Sequence, residues 1–192
     1  MREDPSTAAE LGRGRCLALL RAVNVGGRGA VAMADLRALL AELGLEDPRS
    51  LLNSGNLVFG AAGQPPARLE KRLEKEAAAR LGVATDFFVR TAAEWDELVA
   101  ANPFTAEARS DPGHLLVMAL KDVPSAAALA APRDASVGRE RVQLAGRTAY
   151  LVYPDGVGRS RLTAALVERK LGTRGTARNW NTVLKLQAAL QD

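Results

Sequence analysis

RSLLNSGNLVF, residues 49–59, sets two apolar segments, Leu51-Leu52 and Leu57-Val58-Phe59, on either side of the polar tetrapeptide NSGN at 53–56. A tight turn between strands needs a residue that accepts left-handed backbone torsions, and in the central pair Ser54-Gly55 only Gly55 does so without steric cost. The stretch therefore predicts a β-hairpin. The flanking Asn53 and Asn56 go beyond what the turn itself requires.

Working outward, CLALLRAV (16–23) is an apolar run of strand length, NVGGRGAV breaks it, and MADLRALLAELG (33–44) has apolar residues at helical spacing, with Gly44 placed as a C-cap. Beyond the hairpin, PPARLEKRLEKEAAARLG (65–82) opens on proline and closes on glycine as a helix does, and TDFFVR (85–90) reads as a fourth strand. The order β-α-β-β-α-β is the split βαβ unit of a ferredoxin-like (α-β) plait. TAAEWDELVAA (91–101) follows as an appended helix, with Thr91 as N-cap and Glu94 completing a capping box.

The second half repeats the theme. GHLLVMALK (113–121) is a strand, VPSAAALAA (123–131) a short helix, ERVQLAGRTAYLVY (140–153) a hairpin about Gly146, and RSRLTAALVERKLG (159–172) a helix. Little more than TRGTA remains for a fourth strand before the final helix in RNWNTVLKLQAALQD (178–192), where Trp180 takes the place that Trp95 holds in the first half. The fold class is α+β: two ferredoxin-like subdomains related by an internal repeat, each with an appended helix. Residues 1–15 read as a disordered tail, 16–104 as the first half and 105–192 as the second, the boundary falling in NPFTAEARSDP (102–112), where proline and polar residues cluster.

A chain of 192 residues, 47% hydrophobic and 25% charged, has the ordinary balance of a soluble globular protein. The single Cys16 lies in an apolar run and has no internal disulfide partner, which fits a reduced thiol and a cytoplasmic location. The start of the chain has no apolar signal core, and no stretch approaches the roughly 18 apolar residues of a membrane span, so no membrane partner is expected. One histidine, His114, and one cysteine do not make a zinc site, and His114 reads as a surface residue. No metal and no cofactor is expected.

The net charge of +4 invites a nucleic-acid reading, but the basic residues are spread along the chain and often stand beside acids, as in RLEKRLEKEAAAR (68–80), which reads as a solvated helix face. The first strand of each half is apolar at odd and even positions, so both faces of each sheet should be covered. RNA-binding plaits instead expose aromatics on one face. Tyr150 and Tyr153, three apart, point to opposite faces.

Three stretches are candidates for binding. RAVNVGGRG places Arg21 and Asn24 at a strand end, before Gly26 and Gly27 in a glycine-rich loop, where backbone N–H groups can meet an anion; it is neither a dinucleotide fingerprint nor a Walker A loop. TARNWNTV leaves Arg178 beside a helix N-terminus, whose partial charge does not favour a cation, with Thr176 or Asn179 available as the cap. A bound anion resolves that conflict, while Trp180 reads as a core anchor. YPDGVGRSRLT puts Arg159 and Ser160 after a glycine turn, a location suited to phosphate or carboxylate, though Ser160 reads first as a helix N-cap with Arg159 and Arg161 solvated. No catalytic group can be assembled from these residues.

The motifs ALLRAVNVGG (18–27), MADLRALLAELG, NSGNLVF, NPF (102–104) and RNWNTVLKL (178–186), in this order, resemble the bacterial family catalogued as domain of unknown function 1697 from Cys16 onward. The resemblance implies a pair of α-β plait subdomains and no established activity. It marks Arg21, Asn24, Gly26, Gly27, Asn53, Ser54, Gly55, Asn56, Arg159, Arg178, Asn179, Trp180, Asn181 and Thr182 as belonging to family motifs. The tail before Cys16 is extra, and GTRGTA departs from the expected Thr-rich lead-in to the last strand.

The leading expectation is a binding protein whose interdomain cleft holds a small anionic ligand, phosphate or carboxylate. Arg21 and Arg178 are its charge donors and Asn24, Asn53 and Asn56 its orienting amides, with Ser54, Gly55, Arg159, Ser160, Asn179, Trp180 and Asn181 lining it. Two alternatives stand beside it: nucleic-acid binding through a basic face, and a structural module in which the same residues hold the halves together. Oligomeric state is not read from the sequence.

Overall fold

The computed structural model describes residues 14–21, 31–52, 55–125 and 138–192. The first half runs β1 (Arg15–Leu20), α1 (Met33–Glu42), β2 (Glu46–Ser50), β3 (Asn56–Gly60), α2 (Pro66–Leu81), β4 (Phe87–Thr91) and α3 (Ala92–Ala100). The second runs α4 (Thr105–Ser110), β5 (Leu115–Leu120), β6 (Arg141–Ala145), β7 (Thr148–Val152), a 3-10 turn at Val157–Arg159, α5 (Ala164–Leu171), β8 (Gly175–Asn179) and α6 (Trp180–Gln191).

Eight strands form two four-stranded sheets, ordered β2-β3-β1-β4 and β6-β7-β5-β8, with every neighbouring pair antiparallel. In each, the first strand is central, flanked by the third and fourth, as the split βαβ order requires. By packing, the chain divides into a first unit, Met1–Asp96 with Leu186–Asp192, and a second, Glu97–Lys185. The division falls within α3 and α6.

Burial follows the apolar pattern. In β1, Cys16 to Leu20 are all buried, and β5 is buried at five of its six positions, so each central strand is covered on both faces. In the first unit Ala18, Leu57, Phe59 and Val89 pack with Leu36, Leu40, Leu69 and Leu73 of α1 and α2. In the second, Met118, Ala149 and Leu151 pack with Val167 and Leu171 of α5. α2 has Pro66 in its first turn, and both α2 and α5 end on a left-handed glycine, Gly82 and Gly172, each at φ 67° and ψ 19°.

Four local expectations change. The strand before the NSGN turn is not SLL but β2, the polar segment EDPRS; it is an edge strand, where Pro48 loses no ladder bond, and it bulges between Glu46 and Arg49 with Asp47 at φ 43°. α5 begins at Ala164 rather than at Arg159, because Thr163, not Ser160, caps it by accepting from Leu166 N at 3.2 Å. The segment read as a boundary contains α4, and Arg141 of β6 binds it, pairing with Glu107 and lying 5.1 Å from the Phe104 ring centroid. RLEKRLEKEAAAR is not wholly a solvated face, since Glu70 is buried. Most of the short helix expected over 123–131 lies outside the described residues.

Candidate functional site

In the first unit, Arg21 follows β1 directly. Its backbone N–H bonds Asp86 O at 3.1 Å, its carbonyl accepts from Thr85 Oγ1 at 2.7 Å, and its guanidinium lies 3.5 Å from the Asp86 carboxylate, with the side chain 37% exposed. Gly55 sits at φ 71°, where Leu20 N donates to its carbonyl at 2.8 Å; a Cβ there would stand 3.0 Å from Leu20 Cβ, so left-handed torsion and close approach both call for glycine. Asn56 is buried, and its Nδ2 donates to Leu51 O at 3.0 Å while Leu51 N donates to Asn56 O at 3.0 Å. That reciprocal clamp closes the hairpin loop and accounts for one of the two asparagines. Asn53 and Ser54, with Asn24, Gly26 and Gly27, lie outside the described residues.

In the second unit, Arg178 is the fourth residue of β8. Its Nη1 donates to Thr176 Oγ1 and to Ala177 O, both at 2.9 Å, and burial pulls the guanidinium down to about 10. Asn179 caps α6, its Oδ1 accepting from Thr182 N at 2.9 Å, while Trp180 is buried and its backbone N–H donates to Pro112 O at 3.2 Å. Asn181 is exposed. Arg159 closes the 3-10 turn on the surface, and Ser160 donates to Glu140 and accepts from Leu162 N at 2.9 Å. Tyr153 OH donates to Leu162 O at 3.0 Å. Arg178, Asn179, Trp180 and Asn181 thus form one continuous strand-to-helix junction, and Arg21, Gly55 and Asn56 group at one end of the first sheet.

The residues that sequence reasoning missed are Arg90 and three glutamates. Register places Arg90 opposite Leu17 in the first sheet and Arg178 opposite Val117 in the second, so the two arginines hold the same position in their units. Arg90 Nη1 donates to Val89 O at 2.8 Å, just as Arg178 Nη1 bonds Ala177 O. β4 is an edge strand, and alternate amides of an edge face out of the sheet. All three are covered by carboxylates: Phe87 N by Glu74 at 3.1 Å, Val89 N by Glu70 at 2.9 Å, and Thr91 N by Glu94 at 2.9 Å. In β8, Glu168 does the same for Gly175 N at 2.9 Å. The signal was present in the four-residue spacing of Glu70 and Glu74, which puts both on one helix face.

All eight aromatic residues of the chain, Phe59, Phe87, Phe88, Trp95, Phe104, Tyr150, Tyr153 and Trp180, are buried. No aromatic is left on the surface for a base to stack upon. An open hollow of about 430 Å³ lies at the end of α5, lined by Asp122, Glu168, Arg169, Thr173 and Arg174 among others, with Thr173 Oγ1 accepting from Asp122 N at 3.1 Å. Among the described residues no group of three or more His, Cys, Asp or Glu is arranged to hold a metal ion, and no helix is long and apolar enough to cross a membrane.

Two antiparallel plaits, each carrying an arginine before the last residue of its fourth strand and a helix directly after it, define the class: a duplicated α-β plait protein. The chain belongs to the family described as "Protein of unknown function (DUF1697)", whose model matches residues 14–150. Among solved structures it is similar to the conserved bacterial protein SP0830 from Streptococcus pneumoniae, with a TM-score of 0.72 and 22% identity over 92% of this chain and 98% of that one. That likeness concerns the fold. No curated protein matches the sequence.

Proposed function

We propose that the protein is a cytoplasmic binding protein for a small anionic ligand, held in the second unit with Arg178 as its charge donor. The observation that carries the reading is the place of that guanidinium, half-buried at the junction of β8 and α6, where its Nη1 donates to Thr176 Oγ1 and Ala177 O and partial burial draws it down to about 10. A cation held in this way gains from an anion brought against it. The exposed Asn181 and the N-terminal turn of the 12-residue α6 stand beside it as further donors. The buried thiol of Cys16 suits a reducing compartment.

Thermal melting with inorganic phosphate and with succinate, each at millimolar concentration, tests the reading in wild type and in Arg178→Gln. At a hundredfold excess over its dissociation constant a ligand contributes about 2.7 kcal/mol, or about 5–11 °C in Tm for a chain of this size. A wild-type Tm unmoved by either anion, or moved equally in the variant, refutes it.

A basic segment favours a second reading. Arg159, Arg161, Arg169, Lys170 and Arg174 are all exposed, and between residues 157 and 179 the one acid, Glu168, is engaged with the Gly175 amide. Such a segment suits phosphate-backbone binding without base stacking, and its mark is an affinity for single-stranded nucleic acid that falls steeply with salt.

A further inference from the structure

Of the outer strands of the two sheets, β6 is the one left open to pairing with further chain. β2 bulges and carries Pro48, and the outward amides of β4 are covered by glutamates. In β8, Glu168 takes Gly175 N and Arg178 takes Ala177 O. β6 pairs with β7 at every position from Arg141 to Ala145, with no bulge and no proline.

Hydrogen-bond alternation fixes which groups of β6 face out. Leu120 N donates to Arg147 O and Tyr153 N to His114 O, so Ala149 and Leu151 of β7 face β5, and Thr148, Tyr150 and Val152 face β6. Their partners Ala145, Gln143 and Arg141 are thereby engaged, which turns the N–H and C=O groups of Val142 and Leu144 away from the sheet. Among the described residues none of these outward groups has a hydrogen-bond partner. The edge is accessible, with Arg141, Gln143 and Ala145 exposed, while the side chains of Val142 and Leu144 are half-buried against the core of the unit.

We infer that β6 is the pairing edge for a second copy of this chain, two four-stranded sheets joining into one antiparallel sheet about a two-fold axis at Gln143. The strand complements itself in that register. Val142 of each copy lies opposite Leu144 of the other, and because these residues carry the outward groups, each such pair closes two N–H···O=C bonds. The same pairs set apolar side chains together on the core face, extending the cluster that holds Met118 and Leu151. Sliding the register by two residues sets Arg141 against Arg147 in one direction and Glu140 against Leu144 in the other; a one-residue slip turns the apolar side chains to the wrong face. Charge favours a second copy over a charged partner, since Arg141 is paired with Glu107 and Glu140 accepts from Ser160. Beyond the strand ends Arg139 falls opposite Arg147, with Asp155 already 3.0 Å from Arg139.

The test is sedimentation equilibrium of the full chain. Standard interfaces run from about micromolar to picomolar, and a strand pair this short is smaller, so dimer should form above about 1 μM. Gln143→Lys and Gln143→Glu each set like charges opposite one another at the axis and should weaken association about fivefold, while their equimolar mixture should associate more tightly than either alone. Gln143 is exposed, so neither change disturbs the core. Leu144→Pro removes an outward N–H that the β7 ladder does not use and should weaken association at least about tenfold. Hydrogen exchange supplies the local readout: the Val142 and Leu144 amides should gain protection as protein concentration rises, whereas Gln143, bonded within the sheet, is protected throughout.

A chain still monomeric at about 1 mM overturns the inference. So does a dimer in which the charged variants associate as the wild type does, or in which Val142 and Leu144 exchange equally fast at every concentration, because the contact then lies elsewhere. Protection of these two amides by a blocked hexapeptide of alternating threonine and valine, under conditions where the protein itself stays monomeric, would assign the edge to a foreign strand and overturn the second-copy assignment.

Discussion

Removing the Glu70 carboxylate probes the edge cover directly. Its oxygen accepts from Val89 N at 2.9 Å and stands 3.5 Å from Arg90 Nη1, with side-chain exposures of 4% for the arginine and 6% for the glutamate. Deleting one partner of a buried ion pair costs about 3–5 kcal/mol, because the remaining charge stays desolvated. The 3.5 Å separation, and the 2.8 Å bond that Arg90 keeps to Val89 O, place Glu70→Ala at the low end, about 3 kcal/mol or a loss of about 6–12 °C in Tm. Glu70→Gln retains an acceptor for the amide and should lose about half as much. Urea unfolding followed by far-ultraviolet circular dichroism measures both. The diagnostic variant is Glu70→Leu with Arg90→Met, which removes the two charges together and should recover most of the loss. A Glu70→Ala cost below about 0.5 kcal/mol, or a double variant no better than the sum of the singles, refutes the reasoning.

Asn56→Ala should cost about 1–3 kcal/mol, since it removes a buried amide and leaves Leu51 O without that donor; an unchanged urea midpoint would return Asn56 to the list of ligand groups. Asn179→Ala should lose about 1 kcal/mol as an N-cap deletion and leave the rise in Tm with phosphate or succinate intact, so a lost rise with unchanged stability would place Asn179 in the ligand site instead. Stability should fall in alkali. Burial raises Cys16 from 9.0 to about 12, with the Glu94 charge adding to the rise, and raises Tyr150 and Tyr153 from 10.0 to about 12, with Glu140 adding to Tyr153. The unfolded chain then releases these protons first, so their contribution is complete below about pH 9 and is lost as pH rises through about 12. Denaturation midpoints measured from pH 8 upward check this, and a flat profile beyond pH 10 would contradict it.

The order of elements was legible because each depends on local chemistry: apolar runs too short for helices, Pro66 and Gly82 bracketing α2, and Gly146 turning the second hairpin. β2 was misplaced because an edge strand needs no apolar face, and EDPRS shows none. The repeat was legible in outline and misaligned in detail. Pairing Trp95 with Trp180 matches the helices by their largest side chains, yet the caps Thr91 and Asn179 show that the position corresponding to Trp95 is Val183, three residues on. Trp180 and Val183 share a helix face and are both buried, so one indole serves either position. That offset hid the correspondence of Arg90 with Arg178. With Arg178 read against the dipole of the following helix, its place in a strand, turned back on the carbonyl of Ala177, was out of reach.

The candidate site was legible only as a list of polar residues because most of them do structural work that sequence does not distinguish from binding. Asn56 clamps a loop, Asn179 caps a helix and Arg21 meets Asp86. Arg178 likewise bonds Thr176 and Ala177. Where the first unit completes its sheet edge with its own glutamate, stability is built in and independent of solutes. An anion bound at Arg178 would link the stability of the second unit to its concentration. The amides of β8 should then gain protection from hydrogen exchange as ligand is added, while those of β4, closed by Glu70, Glu74 and Glu94, hold the same protection throughout.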